Sequence, residues 1–319
     1  MNRSEILFLY DVAWTNPNGD PVDENKPRVD EETGKNYVTD VRLKRTIRDF
    51  LHDFRGEEIF VREISDENGV IQDAKTRAED FLLKDGEKIG KSTVSNLAEM
   101  KQIIQENMLS QCIDIRLFGG TVPLEKSTKE KGSITLTGPI QFKMGQSLHR
   151  VQIQHLKGTG AFAAGENKTQ KTFREEYVLP YSLISFYGIV NENAGALTHL
   201  QEEDVEKLLD GLWNGTKNLI SRSKVGQQPR LLVRVVYQKD RFHIGELDKL
   251  VHLQSEIEDE KIRDIEDGLL DMSALVNRLK QEKEHILEVQ IAMDGRMETS
   301  ENLFEALEEE NIPTKRLSL

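Results

Sequence analysis

The chain has 319 residues, 37% hydrophobic and 31% charged, with one cysteine and a net charge of −13. That length allows one elaborated domain or two small ones around a sizeable core, and the single cysteine, Cys112, excludes an internal disulfide and a Cys-rich zinc site. The longest apolar run near the start, Ile6 to Tyr10, is far short of the ~20 residues of a membrane span. No basic segment followed by an apolar one marks a signal peptide, so a cytoplasmic protein is expected.

The overall acidity speaks against a nucleic-acid partner, but the charge is unevenly spread. Residues 246–319 hold 20 acids against 9 bases, whereas the first 245 residues are nearly balanced at 36 against 34. Residues 141–175 have 6 bases and 2 acids, and residues 216–241 have 7 and 1. Fields decay over about 8 Å at physiological salt, so a basic groove can coexist with an acidic region. Ordinary solvated faces are the alternative.

Residues 5–14, rich in Ile, Leu and Phe, read as a buried strand. "TNPNGDP" at 15–21 ends it and opens a polar loop of a length usually found where a chain has a task. In "TDVRLKRTIRDFLHDF", Leu43, Ile47, Phe50, Leu51 and Phe54 form one helical stripe, with Thr39 or Asp40 as cap. "EEIFVREI" (57–64) reads as a strand, and residues 74–111 as a helical insertion interrupted by "KDGEKIG". "DIRLFGG" and "GSITLTGPIQFKMG" read as strands, residues 150–175 as a projecting hairpin or loop, and "EYVLPYSLISFYGIV" as a further strand. A second amphipathic helix carries Val205, Leu208, Leu209, Leu212 and Trp213, with Thr198 and Gln201 as its expected capping box. "RLLVRVVYQ" is a strand; beyond it a helix near 271–284, the strand "HILEVQIAM" and an acidic helix near 300–310 are expected. Strand, helix, strands, helix, strand is the order of a split βαβ or ferredoxin-like α+β core with insertions.

Several chemistries can be weighed on these residues. Asn16, Asn18 and Asp20 alternate like the start of a calcium loop, but Gly19 interrupts them and Pro27 stands where the closing Glu belongs. As a turn the segment is strong, because Pro17 fixes φ and Asn18-Gly19 tolerates positive φ. Asp11, Asp20 and Asp23 leave open a Mg²⁺ site for phosphodiester cleavage, although no His partner stands nearby in sequence. His149 and His155 lack metal-ligand partners at suitable spacing and read as core or surface residues. "KGTGAFAAG" lacks the G-K-[ST] ending of a P-loop, and no G-x-S-x-G elbow occurs. Arg42, Lys44, Arg45 and Arg48 avoid the apolar stripe and sit in the first turns of their helix, where N–H groups and the helix dipole already favour phosphate. A solvated face paired with Asp40 and Asp49 is the alternative there.

"NPNGDP", "RVDEETGKNYVTDVRLKRTIRDFL", "DIRLFGG", "TGPIQF" followed by "GQSLH", and "VLPYSLISFYGIV" resemble the backbone subunit of type I CRISPR Cascade complexes, in the RAMP superfamily and nearest its type I-B branch. The landmarks run from residue 6 to about 190; the acidic C-terminal part is the least diagnostic. The resemblance implies one elaborated domain over 1–319. Its parts are a modified ferredoxin-like, RNA-recognition-motif palm (about 1–61, 112–149 and 176–245), helical fingers (about 62–111), a β-hairpin thumb (about 150–175) and the acidic region 246–319.

By the same likeness, several copies polymerise in a helical filament along one guide RNA, pair it with target DNA and join other Cascade subunits, without membrane, cofactor, metal or catalytic residue. Arg42, Lys44, Arg45 and Arg48 match the guide-backbone contacts. Lys143, Ser147 and Arg150 lie at the palm–thumb junction, Lys168, Lys171 and Arg174 on the thumb's return, and Arg222 and Lys224 after the second long helix. Asn16, Asn18 and Gly19 are expected near RNA or a neighbouring subunit, and Phe162 as a wedge at the thumb tip. Base pairing reads sequence in RNA-guided effectors, so backbone contacts suffice. Beside this stand two alternatives, a metal-dependent endoribonuclease using a loop aspartate and a protein-only scaffold.

Overall fold

A computed structural model describes residues 1–65, 69–163, 171–238 and 240–319, and the side chains of 159–174 lie outside that description. Two compact units emerge: residues 1–3, 47–141 and 189–211 form one, and residues 4–46, 142–188 and 212–319 the other. Among the described residues no helix is long and apolar enough to cross a membrane.

The second unit is built on a mostly antiparallel sheet. Strand β1 (Ser4–Thr15) is buried from Ser4 to Val12, as its apolar sequence demands. It pairs antiparallel with Gln228–Tyr237, from Ser4 opposite Val236 to Asp11 opposite Gln228, with an irregularity after Leu9. On its other edge lies the long strand Lys171–Val190, then Gly145–Ser147 and the short edge strand Tyr37–Val38. Gln154–Ala163 pairs antiparallel with the first part of that long strand, from Gln154 opposite Val178 to Ala163 opposite Lys171.

The acidic region is part of this sheet. Ile286–Met293 pairs with Gln228–Tyr237, and Thr314–Arg316 adds in parallel beyond it. Leu275, Val276 and Leu279 of helix Ser273–Gln281, with Leu303 and Leu307 of helix Leu303–Glu308, are buried in the same core as Leu7, Leu9 and Val233. The acids that dominate its composition occupy the outer faces of elements whose inner faces are apolar.

The first unit holds helices Ala74–Glu79, Leu97–Gln111 and Ile113–Phe118 and the hairpin Gly119–Glu125/Lys131–Thr137. Asp73 and Asn96 cap the first two, accepting from Thr76 N and Glu99 N. Phe60, Phe81, Met100, Ile104, Met108, Val122 and Ile134 pack together. Gly119 (φ +62°) turns the chain from helix into hairpin, and a Cβ there would lie 2.2 Å from Leu136 O.

Three expectations are corrected. Residues 57–64 form no strand, because side chains take the place of a ladder: Phe60 N and Val61 N donate to the Asp114 carboxylate at 2.8 and 3.1 Å, and Arg77 Nη2 donates to Ile59 O. "DIRLF" is helical, coming directly after Leu97–Gln111 and a break at Cys112. Its apolar residues all bury as a strand's would, so the pattern alone does not separate the two. Thr198 is no helix cap; it ends the short helix Glu192–Thr198 and donates to Arg116 O, while Asp204 reaches back to Gln201 N at the start of Glu202–Lys217.

Asp114 is fully buried and also accepts from Arg48 Nε at 2.9 Å. Asp114→Ala strands a half-buried guanidinium and two amides, and a loss of about 3–5 kcal/mol is expected in urea unfolding, with Phe60 and Val61 amides losing exchange protection. A loss below about 1 kcal/mol with protection intact would show that the carboxylate is dispensable.

Candidate nucleic-acid interface

The interface grows from the end of β1. Asn16 N donates to Ser223 O at 3.0 Å, and Asn16 Nδ2 donates to Asn25 O at 2.7 Å. Next comes a small hairpin, Gly19–Asp20 against Lys26–Pro27. A Cβ on Gly19 would lie 2.8 Å from Asn25 O, which explains the glycine. Asp20 accepts from Val22 N and Arg28 Nη1, and Asp23 from Lys26 Nζ. Asp11 is buried, accepting from Arg230 Nε at 2.8 Å and the Tyr181 hydroxyl at 3.0 Å, and burial raises its pKa against the pull of Arg230. Among the described residues, no group of three or more His, Cys, Asp or Glu is placed to hold a metal ion.

The loop then locks helix α1 (Asp40–Arg55). Asn18 Oδ1 accepts from both Thr39 N (2.9 Å) and Thr39 Oγ1 (3.0 Å), and Thr39 Oγ1 in turn accepts from Arg42 N. Thr39 is thus the N-cap, and the "NPNG" turn orients it. Lys44 bridges to Asp40 at 3.0 Å, Arg42 donates to Thr46 Oγ1, and Arg45 is exposed.

Lys224 arrives from the turn after Glu202–Lys217 and donates to Asn16 O at 2.9 Å. Its pKa is lowered to about 8, first by burial and then by the positive charge of Arg42. Asn16, Asn18 and Lys224, up to 208 residues apart, are therefore gathered beside one capped helix N-terminus, with the Arg42 charge near enough to be felt by Lys224. A helix start with converging cations stabilises an anion.

Other expected contacts lie elsewhere and have partners within the protein. Arg48 is bound to Asp114 and its guanidinium sits over Phe118 at 5.1 Å. Lys143 pairs with Asp248, Arg222 with Glu176, and Arg150 with Asp259 and Glu260. Ser147 is buried, accepting from Asn36 N and donating to His149 O. His149 is a buried residue whose pKa burial lowers, and His155 stacks on Tyr177 with ring centroids 4.5 Å apart. Lys168 falls outside the described residues, as do the side chains of Phe162, Lys171 and Arg174 on the hairpin strands. Trp14 belongs to no sequence motif, yet it stands exposed at the mouth of the loop with φ +54°. An aromatic ending a buried strand just before a long polar loop is the one sequence signal that points to it.

The family model for CRISPR-associated protein Cas7 matches residues 2–273. A CRISPR-associated protein Cas7 of Haloferax volcanii is 33% identical over 315 residues, covering 93% of this chain and 88% of that protein. A solved chain of a "CRISPR RNA-guided surveillance complex, pre-nicking" is 12% identical with a TM-score of 0.53, covering 97% of this chain and 99% of that one. A second, from a "CRISPR RNA-guided surveillance complex", is 13% identical with the same TM-score of 0.53, covering 99% and 95%. These two likenesses speak for the fold. On the extent of the family match and the identity to the Haloferax protein, the chain belongs to the CRISPR-associated protein Cas7 family.

Proposed function

We propose that the chain is a non-catalytic backbone subunit of a cytoplasmic Cascade-type complex of the type I-B branch. Copies of it polymerise along one CRISPR guide RNA and present that RNA for pairing with target DNA, alongside other subunits. The observation that carries this reading is the place of Lys224, bonded to Asn16 O in the turn whose Asn18 holds the N-cap of α1 and near enough to Arg42 for that charge to lower its pKa. Phosphates placed there neutralise two neighbouring cations, and no base edge needs to be read.

The palm reading is supported by strand order. Gln228–Tyr237, β1, Lys171–Val190 and Gly145–Ser147 lie side by side in that order. In the chain, helix α1 comes after β1 and Glu202–Lys217 after Lys171–Val190, as in a split βαβ sheet. Gln154–Ala163 with the start of Lys171–Val190 is the thumb of this reading, and residues 62–111 are the fingers; Lys168 and the side chains of Lys171, Arg174 and Phe162, which lie outside the described residues, remain candidates for RNA contact. Arg45, Lys44 and the Asn16–Gly19 turn complete the guide-binding surface.

Coexpression with a CRISPR array tests the helix. Arg45→Glu, which leaves the Lys44–Asp40 pair intact, weakens guide copurification, and Lys44→Glu with Arg45→Glu abolishes it while the thermal melt stays cooperative. Unchanged RNA in the folded double variant would overturn the role of α1.

Protonation gives a second test. A phosphate raises the Lys224 pKa above its free value of about 8. The binding contributed is full below pH 8 and is lost as pH rises toward the pKa in the complex. Guide affinity at pH 9 is then about tenfold below that at pH 7, and Lys224→Arg flattens the profile. An equal tenfold fall in that variant would place the titrating group elsewhere.

A further inference from the structure

Trp14 carries a ring that the fold itself does not use. The residue is 58% exposed, and its indole has no hydrogen-bond, stacking or cation–π partner among the described residues. Other rings near the surface are accounted for: His155 stacks on Tyr177, Phe54 stacks on Phe50 at 5.3 Å, and Arg316 lies over Phe304 at 4.1 Å. An indole left in water forgoes a large apolar burial, and such rings mark contact surfaces.

The backbone holds this ring out. Neighbours in a regular strand face opposite sides, yet Ala13 and Trp14 are both exposed, just past the last pairing of β1 with Gln228–Tyr237, Asp11 opposite Gln228. Trp14 has φ +54°, uncommon for a bulky residue and kept only where the surroundings fix it. The fixing comes from Asn16, two residues on, whose N donates to Ser223 O at 3.0 Å and whose O accepts from Lys224 Nζ at 2.9 Å. The ring is thus rooted in the same short stretch of backbone that carries Lys224. Glu24, Glu175 and Glu176 share a hollow of about 250 Å³ with it, but each is paired, with Lys26, Lys157 and Arg222 respectively. No unpaired carboxylate among them repels a polyanion.

We propose that Trp14 is a stacking platform for one nucleobase of the guide RNA, set beside the phosphate contact at Lys224. This rests on the guide-binding reading above and extends it from backbone to base. An aromatic face beside a cation holds single strands without sequence preference, because every base has a π-face. Base and phosphate belong to one nucleotide, and this stretch of backbone offers a partner for each. Stacking covers the face of the base and leaves its pairing edge open, so base pairing still reads sequence.

The test uses the RNA-free chain. The sequence contains two tryptophans, so Trp213→Phe makes Trp14 the sole indole. That chain is titrated with fluorescently labelled hexaadenylate, followed by label anisotropy and by indole emission. Emission is expected to be quenched in step with the anisotropy rise, whereas a hexamer with the same phosphates and no bases binds about tenfold more weakly and does not quench. Trp14→Ala weakens hexaadenylate binding about tenfold and leaves its salt slope unchanged, since no phosphate contact is lost; Trp14→Phe recovers most of the affinity. Unquenched emission at saturating RNA, equal binding of the baseless hexamer, or unchanged affinity in Trp14→Ala would overturn the proposal. If Lys44→Glu with Arg45→Glu still abolishes binding in those cases, the guide-binding reading stands without the platform. No anisotropy change with the Trp213→Phe chain overturns both.

Discussion

Strand β1 lies between two neighbouring strands, buried along most of its length, yet carries two carboxylates that have to be satisfied inside. Glu5 accepts from the hydroxyls of Tyr187 and Tyr237 and from the amides of Ile244 and Gly245. Asp11 accepts from Arg230 and Tyr181. An unpaired charge at such depth costs several kcal/mol, so these contacts tie β1 to Lys171–Val190 on one side, to Gln228–Tyr237 on the other, and to the loop that leads into the acidic region. Arg230 also bonds Asp294, which extends the tie to the end of Ile286–Met293. The position at which β1 stops is therefore set from several directions.

That stop places the candidate site. The turn after Thr15 is fastened to residues 223–224 by backbone and lysine, and Asn18 is delivered to the N-cap of α1. The helix start thus stands beside a turn that is remote in sequence, and the two bring Arg42 and Lys224 together. Burial and like charge make Lys224 a poorer cation in the free protein than an exposed lysine. An anion placed there relieves that cost, which is why the proposed guide contact is put here in a chain that is acidic overall.

Elements with a strong period and an apolar stripe are legible in the residues: β1, α1, Glu202–Lys217 and Gln228–Tyr237 stand where the pattern puts them. The errors fall where a distant side chain replaces a local rule. Asp114 satisfies the backbone of residues 60–61 from 53 or 54 residues away, so an apolar run that reads as a strand has no need of a ladder. Similar physics governs the basic residues. Arg48, Lys143, Arg150 and Arg222 look alike in sequence, but each meets a carboxylate 46 to 109 residues distant. Charge along the chain does not reveal such pairs. The exposure of Trp14 is invisible in sequence for a related reason, since it is a property of the folded surroundings.

The most direct measurement is the side-chain titration of Lys224, monitored by NMR on chain labelled at lysine Cε, without and with a guide oligonucleotide. A free pKa near 8 that moves upward on binding, together with chemical-shift changes at Arg42, is the outcome that places a phosphate at the start of α1. A Lys224 resonance with the same titration in the presence of saturating RNA would contradict that placement.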